Sequence, residues 1–453
     1  MKTKQYASKL LFIFGLLAFL VSCRPTIDLT RPEDTLVDYR SKGVVDFGIE
    51  FQNFWSGMNH NYLYWDVDPT DWDAVYDIYK PKFDELGTLP EGDIAPDNPK
   101  VRKAVDYMNE LSKDLVDGHL TIVYHDNIMW GPGLNVQPAD VRARKRDNFT
   151  DYDTVFFAPS RADPRPSRAD PSLGSVSFDG DGFPWSTAIT GILDQDAPLF
   201  VGAPSASDGP GVINIILGKK TISGTDFIAY FYFNSFDFIS NMQKRNDEVN
   251  EIINTLFDDY IKDPGLKGVI FDLRGNGGGA AQDVAMFLSP FIDEPLVIGQ
   301  LRTKNGIGRL DYAPWGPFLV TPSKEYRVNN LNMPVVALVN EFSISCGEFL
   351  PMGIRQLRNG HIIGKRTHGG TGPRISDFDD RVLNGGGFKS GIFINSVLQA
   401  AFAARAAGGE NLEGIGISPD LELPFGAAEW AQFYGGEDPW LLRAIDYVKN
   451  HLP

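Results

Sequence analysis

Gly268-Val-Ile-Phe-Asp272-Leu-Arg274-Gly275-Asn276-Gly277-Gly278-Gly279 is the stretch on which the reading of the fold turns. Gly268 to Leu273 is a short apolar run of the kind that forms a buried strand. It passes directly into glycines, where backbone N–H groups can approach an anion because no Cβ stands in the way. Working outward, Val212 to Leu217, Phe227 to Phe233 and Val335 to Val339 are further β-prone runs, and Asn241 to Lys262 carries a helical pattern. This alternation predicts an α/β fold whose sheet is covered on both faces. The glycine run lacks the GxGxxG spacing and no Gly-Lys-Ser/Thr follows it, so a nucleotide site is disfavoured. From the residues alone, a tight turn and an oxyanion cradle stay equally open.

A second stretch begins at Val335 and runs through Asn340-Glu341-Phe342-Ser343-Ile344-Ser345-Cys346-Gly347-Glu348. Phe349, Leu350, Gly353, Ile354 and Leu357 follow a helical period, so Ser345 lies where a strand gives way to a helix. Ser345 with Glu348 fits the S-x-x-E capping box. The same geometry leaves a free amide beside the serine, that of Cys346, able to stabilise a developing oxyanion. Upstream, Val101, Val105, Met108, Leu111 and Leu115 form one apolar helix face. That helix is expected to stop at Asp117-Gly118 with glycine as its left-handed cap, delivering His119 to the head of a strand at Leu120 to Tyr124.

The chain has 453 residues, 42 Lys plus Arg against 59 Asp plus Glu, and a net charge of −17, which argues against a nucleic-acid partner. Lys2, Lys4 and Lys9 precede a 12-residue apolar run from Leu10 to Val21, short for a membrane span and suited to a secretory signal. The run ends in Leu20-Val21-Ser22-Cys23, which resembles a bacterial lipobox and implies lipidation of Cys23. The only other cysteine is Cys346, so no internal disulfide forms once Cys23 is lipidated. Neither HExxH nor CxxC occurs, and neither a metal nor a cofactor is expected.

Taken in order, Asp272-Leu-Arg-Gly-Asn-Gly-Gly-Gly, Ser343-Ile-Ser-Cys-Gly-Glu348, Ile362-Ile-Gly-Lys-Arg-Thr367 and Gly414-Ile-Gly-Ile-Ser-Pro-Asp420 resemble the C-terminal processing and tricorn-type serine peptidases over about residues 220–425. The resemblance implies a crotonase-like α/β core with Ser345 as nucleophile. Processing peptidases pair that serine with a lysine, but Gly370 occupies the matching position here. The tricorn-like branch instead implies a serine, histidine and glutamate set, which falls on Ser345, His119 and Glu413. Such a set is chemically sensible: neutral imidazole takes the serine proton, and a carboxylate fixes its tautomer. Lys365 and His368 are rival bases in the lysine-bearing turn. The Gly277 amide, or that of Gly278, together with Cys346 N–H, is the implied oxyanion hole.

The expected organisation is a signal at 1–22, a tether at 23–45, an N-terminal helical domain at 46–125 and a Pro/Asp/Gly-rich loop or cap at 126–190. A peptidase core at 191–425 and a C-terminal helical segment at 426–453 follow. The expected function is peptide-bond hydrolysis by a lipid-anchored enzyme of the bacterial cell envelope, acting on a peptide or protein substrate. Two alternatives remain: a silent peptide-binding lipoprotein on the same fold, and an α/β-hydrolase esterase using Ser345, Asp420 and His451.

Overall fold

The computed structural model describes residues 43–126, 188–194, 199–204, 212–244, 246–306, 308–373, 386–424 and 427–453. The signal, Cys23, nearly all of the tether and most of the Pro/Asp/Gly-rich stretch lie outside the described residues. Among those described, no helix is long and apolar enough to cross a membrane.

The centre is a seven-stranded sheet in the order Leu421–Glu422, Gly360–Gly364, Val335–Val339, Leu266–Asp272, Asp226–Phe233, Val212–Ser223 and Leu199–Pro204. The first five strands run parallel and the last two antiparallel. Side chains alternate between the faces with a period of two. Ala229, Phe231, Phe233, Val269, Phe271, Val335, Ala337 and Val339 pack against helices that include Ala281–Leu288 and Cys346–Ile354. Ile228, Tyr230, Tyr232, Ile270, Val336 and Leu338 face the helix Pro439–Asn450 through Trp440, Leu441, Ala444 and Val448. Both faces are dry, which is why these strands read as continuous apolar runs. The C-terminal helix therefore completes the core.

Residue 274 ties that helix to the sheet. The Arg274 guanidinium is fully buried and bonds the Asp272 carboxylate and both oxygens of Asp438, the latter at 2.6 and 3.2 Å. Asp438 in turn caps the C-terminal helix, accepting from the amides of Trp440 (2.9 Å) and Leu441 (3.2 Å). Tyr230 donates to Asp272 at 2.8 Å. Within the Asp-Leu-Arg-Gly run, the arginine is thus a structural ion rather than a ligand-binding one.

The N-terminal helices Phe47–Asn61, Trp72–Leu86 and Pro99–Ser112 begin at Asp46, Asp71 and Asn98, whose side chains accept from the first turn. Their aromatic core also contains Phe388, Phe393, Ile394 and Val397 from far along the chain. The buried Glu50 carboxylate accepts from the amides of Ile392, Phe393 and Ile394 at 2.8–3.0 Å. Burial raises its pKa. Residues 46–125 consequently share one core with this later segment, and the strand Thr121–Tyr124 pairs with Ile394–Leu398.

Two local expectations are corrected. The third helix ends at Ser112, short of Asp117-Gly118, and Gly118 does not take a positive φ. Asp117 leaves the helix to accept the amides of His119 (2.7 Å) and Ala400 (2.9 Å). Gly118 is instead a point of close approach, where a Cβ would stand 2.5 Å from Gly370 Cα. The pattern from Asn241 to Lys262 divides into helices Phe238–Gln243 and Asp247–Asn254 and a π-helical run Thr255–Ile261. Asn246 restarts the helix by accepting from Val249 N at 3.3 Å.

Removing the cation from the buried triad would leave Asp272 and Asp438 facing each other without compensation. Arg274→Met is expected to lower the unfolding free energy by about 3–5 kcal/mol, measured by urea denaturation. A change within 1 kcal/mol would show that the triad does not hold the C-terminal helix.

Candidate active site

Ser345 follows the Val335–Val339 strand and caps the helix Cys346–Ile354, with φ 61° and ψ −121°. Among the described residues it is the one non-glycine with positive φ. Such a conformation costs on the order of 1–3 kcal/mol and persists only where its surroundings impose it. The Ser345 amide is held by Gly370 O at 2.9 Å and by the Glu348 carboxylate at 3.3 Å. Ser343 is the nearer rival in sequence, but it is fully buried, accepting from Asn340 N and donating to Leu273 O at 2.8 Å. Ser345 is only partly buried. The strand-to-helix turn thus presents one serine and consumes the other.

Beside Ser345 runs the glycine loop. Asn276, not among the candidate site residues read from the sequence, organises it by donating to Phe233 O at 2.8 Å and accepting from Gly278 N at 2.8 Å. Its carbonyl accepts from Ile344 N at 3.0 Å. Gly277 N donates to Asn234 O at 2.9 Å. Both amides assigned to the oxyanion hole, those of Gly277 and Gly278, thus have acceptors within the loop and its surroundings. Cys346 N–H lies at the helix start beside Ser345. The Cys346 thiol is passive: it donates to Gly279 O at 3.0 Å, and burial pushes its pKa up to about 12.

His119, Asp117 and Glu413 converge, with one ligand-type atom from each lying within 4.8 Å of the others. All three are buried. Glu413 accepts from Gly118 N (2.7 Å), Thr371 N (2.8 Å), Thr371 Oγ1 (2.9 Å) and Gly372 N (2.9 Å). Burial and the neighbouring Asp117 push its pKa up to about 8, against the pull of those donors. The carboxylate oxygens of this trio are addressed by N–H and O–H groups. Those donors replace part of the hydration that burial takes from the carboxylates. Lys365 and His368 are also buried, their amides bonded to Val339 O and Ser343 O at 3.1 Å each.

At Gly370, a Cβ would meet the Ile344 side chain at 2.7–2.8 Å, so a lysine does not fit here without displacing the residue before Ser345. The esterase alternative fails on topology. Asp420 accepts from Ile362 N and Arg355, and the exposed His451 ring contacts Tyr447 O and stacks on Tyr447 beside His361. His361 pairs with Val336 near the start of the parallel strands, whereas Ser345 lies beyond their C-terminal ends.

The loop leaves no room for a side chain at residue 278. A Cβ on Gly278, whose φ is +85°, would lie 2.5 Å from Ser345 Cβ and 2.9 Å from its Oγ. Gly278→Ala is therefore expected to slow covalent labelling of Ser345 by a fluorophosphonate by about 10²-fold or more, the scale of a small misplacement of a reacting group. Labelling at the parent rate would mean that the loop does not confine the serine.

Solved structures of similar fold include a protein from Parabacteroides merdae described as a candidate peptidase, with TM-score 0.54 and 19% identity over 88% of this chain and 95% of that one. Mature CPAF gives TM-score 0.51 and 12% identity over 89% and 98%. By sequence, the chain is 28% identical over 204 residues to the tricorn protease of Thermoplasma volcanium, covering 44% of this chain and 16% of that protein. It is 32% identical over 123 residues to the carboxy-terminal processing protease CtpA of Bacillus subtilis, covering 27% and 24%. The chain thus spans less than a quarter of the length of these relatives. Residues 228–423 match the model of peptidase family S41, a stretch that contains both the Ser345 elbow and the Asn276 loop.

Proposed function

We propose that the protein is a serine endopeptidase on a crotonase-type core, in which Ser345 Oγ attacks the scissile carbonyl of a peptide or protein substrate. The observation that carries this reading is the backbone of Ser345: a strained, partly exposed serine between a buried strand and a helix N-terminus. His119 removes the serine proton as the bond to the carbonyl carbon forms and returns it to the leaving amine. Glu413, gathered with His119 and Asp117, stabilises the imidazolium. Cys346 N–H at the helix start receives the oxyanion. Water then repeats the sequence on the acyl-enzyme, so no cofactor enters the reaction. Cys23 carries the lipid that holds the enzyme at the bacterial envelope; releasing the chain by Cys23→Ser would be its consequence.

Ser345→Ala tests the nucleophile. Peptide hydrolysis is expected to fall to background while the fold persists, because losing a capping hydroxyl costs only about 0.5–2 kcal/mol. Retention of most activity would overturn the assignment, and retention of binding in a parent that never cleaves would favour the silent peptide-binding alternative.

The acid limb of the pH profile tests the histidine and glutamate pair. Catalysis needs imidazole neutral and Glu413 ionised, and both forms are lost as pH falls, so kcat/KM falls on the acid side. Glu413 is pushed up to about 8, so the limb is expected to centre near that pH. In Glu413→Gln it should move toward the ordinary histidine range of about 6.5, with a lower plateau. An unmoved limb in that variant, or full activity in His119→Ala, would contradict the pairing.

A further inference from the structure

The turn that carries a lysine in processing peptidases is used here as backbone alone, and two buried carboxylates grip it. Glu348 Oε1 accepts from Thr367 Oγ1 at 2.5 Å and Gly369 N at 2.8 Å; Oε2 accepts from Gly370 N at 2.8 Å and Ser345 N at 3.3 Å. At the next residue the grip changes hands. Thr371 N and Gly372 N donate to Glu413, whose other oxygen accepts from Gly118 N, one residue from His119. A continuous path of short contacts thus runs from Ser345 through Glu348, residues 367–372 and Glu413 to Gly118.

Close packing reinforces that path. Gly118 lies against Gly370, where a Cβ would be 2.5 Å from Gly370 Cα, and Gly370 O receives the Ser345 amide at 2.9 Å. The spacing of the elbow from the His119 backbone is therefore set by one glycine pair and the two acids on either side of it. A capping box alone would need Glu348 to reach only the Ser345 amide. Here the carboxylate is fully buried and its shorter contacts go to the turn.

We propose that Glu348 is a positioning residue: by binding the Ser345 amide and the Thr367–Gly370 turn with one carboxylate, it fixes the nucleophile at working distance from His119. The proposal rests on the assignment of Ser345 and His119 above. Glu348→Gln keeps the shape of the side chain but replaces one acceptor oxygen by an NH2 group. That group faces backbone donors and pushes the turn away.

The test is a double-mutant cycle on the full mature chain, reading the second-order rate at which a fluorophosphonate labels Ser345 in the parent, Glu348→Gln, His119→Ala and the double variant. Glu348→Gln is expected to slow labelling about 10–100-fold and His119→Ala about 10²–10⁴-fold. The double variant should be no more than about 3-fold slower than His119→Ala, since a spacing has no further effect once the base is gone. On a peptide substrate, Glu348→Gln should lower kcat and leave KM within about 2-fold. Should Glu348→Gln fail to fold, Thr367→Val, which removes the 2.5 Å contact to the carboxylate and one to Ile417 N, is expected to slow labelling about 3–10-fold with the same non-additivity. Multiplicative losses, or parent rates in folded variants, overturn the positioning role alone. A parent protein in which Ser345 takes no label overturns the proposed function and this role with it.

Discussion

Backbone amides converging on buried carboxylates are the interaction from which the rest of the site follows. A carboxylate removed from water is costly unless donors replace its hydration, so each buried acid dictates where several chain segments must bring their N–H groups. Glu413 draws together residues 118, 371 and 372; Glu348 draws together residues 345, 369 and 370; Glu50 draws in residues 392 to 394. In the first two cases the segments gathered include Ser345 itself and the immediate neighbour of His119. The segment around Gly118, the turn after the Gly360–Gly364 strand and the glutamate loop meet at these carboxylates.

Once those segments are fixed, space becomes the second constraint. Gly118 against Gly370 and Gly278 against Ser345 are approaches closer than any Cβ permits. The strained φ of Ser345 is compatible with them because the sheet below is rigid on both faces and the helix after it is buried throughout its length. Helix start, strand end and glycine loop form a frame around Ser345, which is only partly buried.

The sheet was legible because both of its faces are dry, which writes each parallel strand as an unbroken apolar run. Ser345 was legible for a related reason, since the change from strand to helix periodicity falls on it. The Asp117-Gly118 pair misled: it has the composition of a helix cap, but the carboxylate is claimed by Ala400, 283 residues away, and the glycine by Gly370. The same distance problem hid the Arg274 and Asp438 pairing, 164 residues apart, the shared core of the first helices with Phe388 and Phe393, and the second set of contacts made by Glu348. Asn276 lay inside the glycine motif without being assigned a part, although a side chain with both donor and acceptor inside a glycine run is suited to brace it. The acceptors that the Gly277 and Gly278 amides find, Asn234 O and Asn276 Oδ1, were not legible either.

The account stands or falls on one serine. Incubating the mature chain with a fluorophosphonate, digesting it and locating the adduct by mass spectrometry measures this directly. The account predicts a single adduct on Ser345, formed fastest on the alkaline side of about pH 8, where Glu413 is ionised. An adduct on Ser343 or on another residue, or none under conditions where the chain is folded, would contradict it.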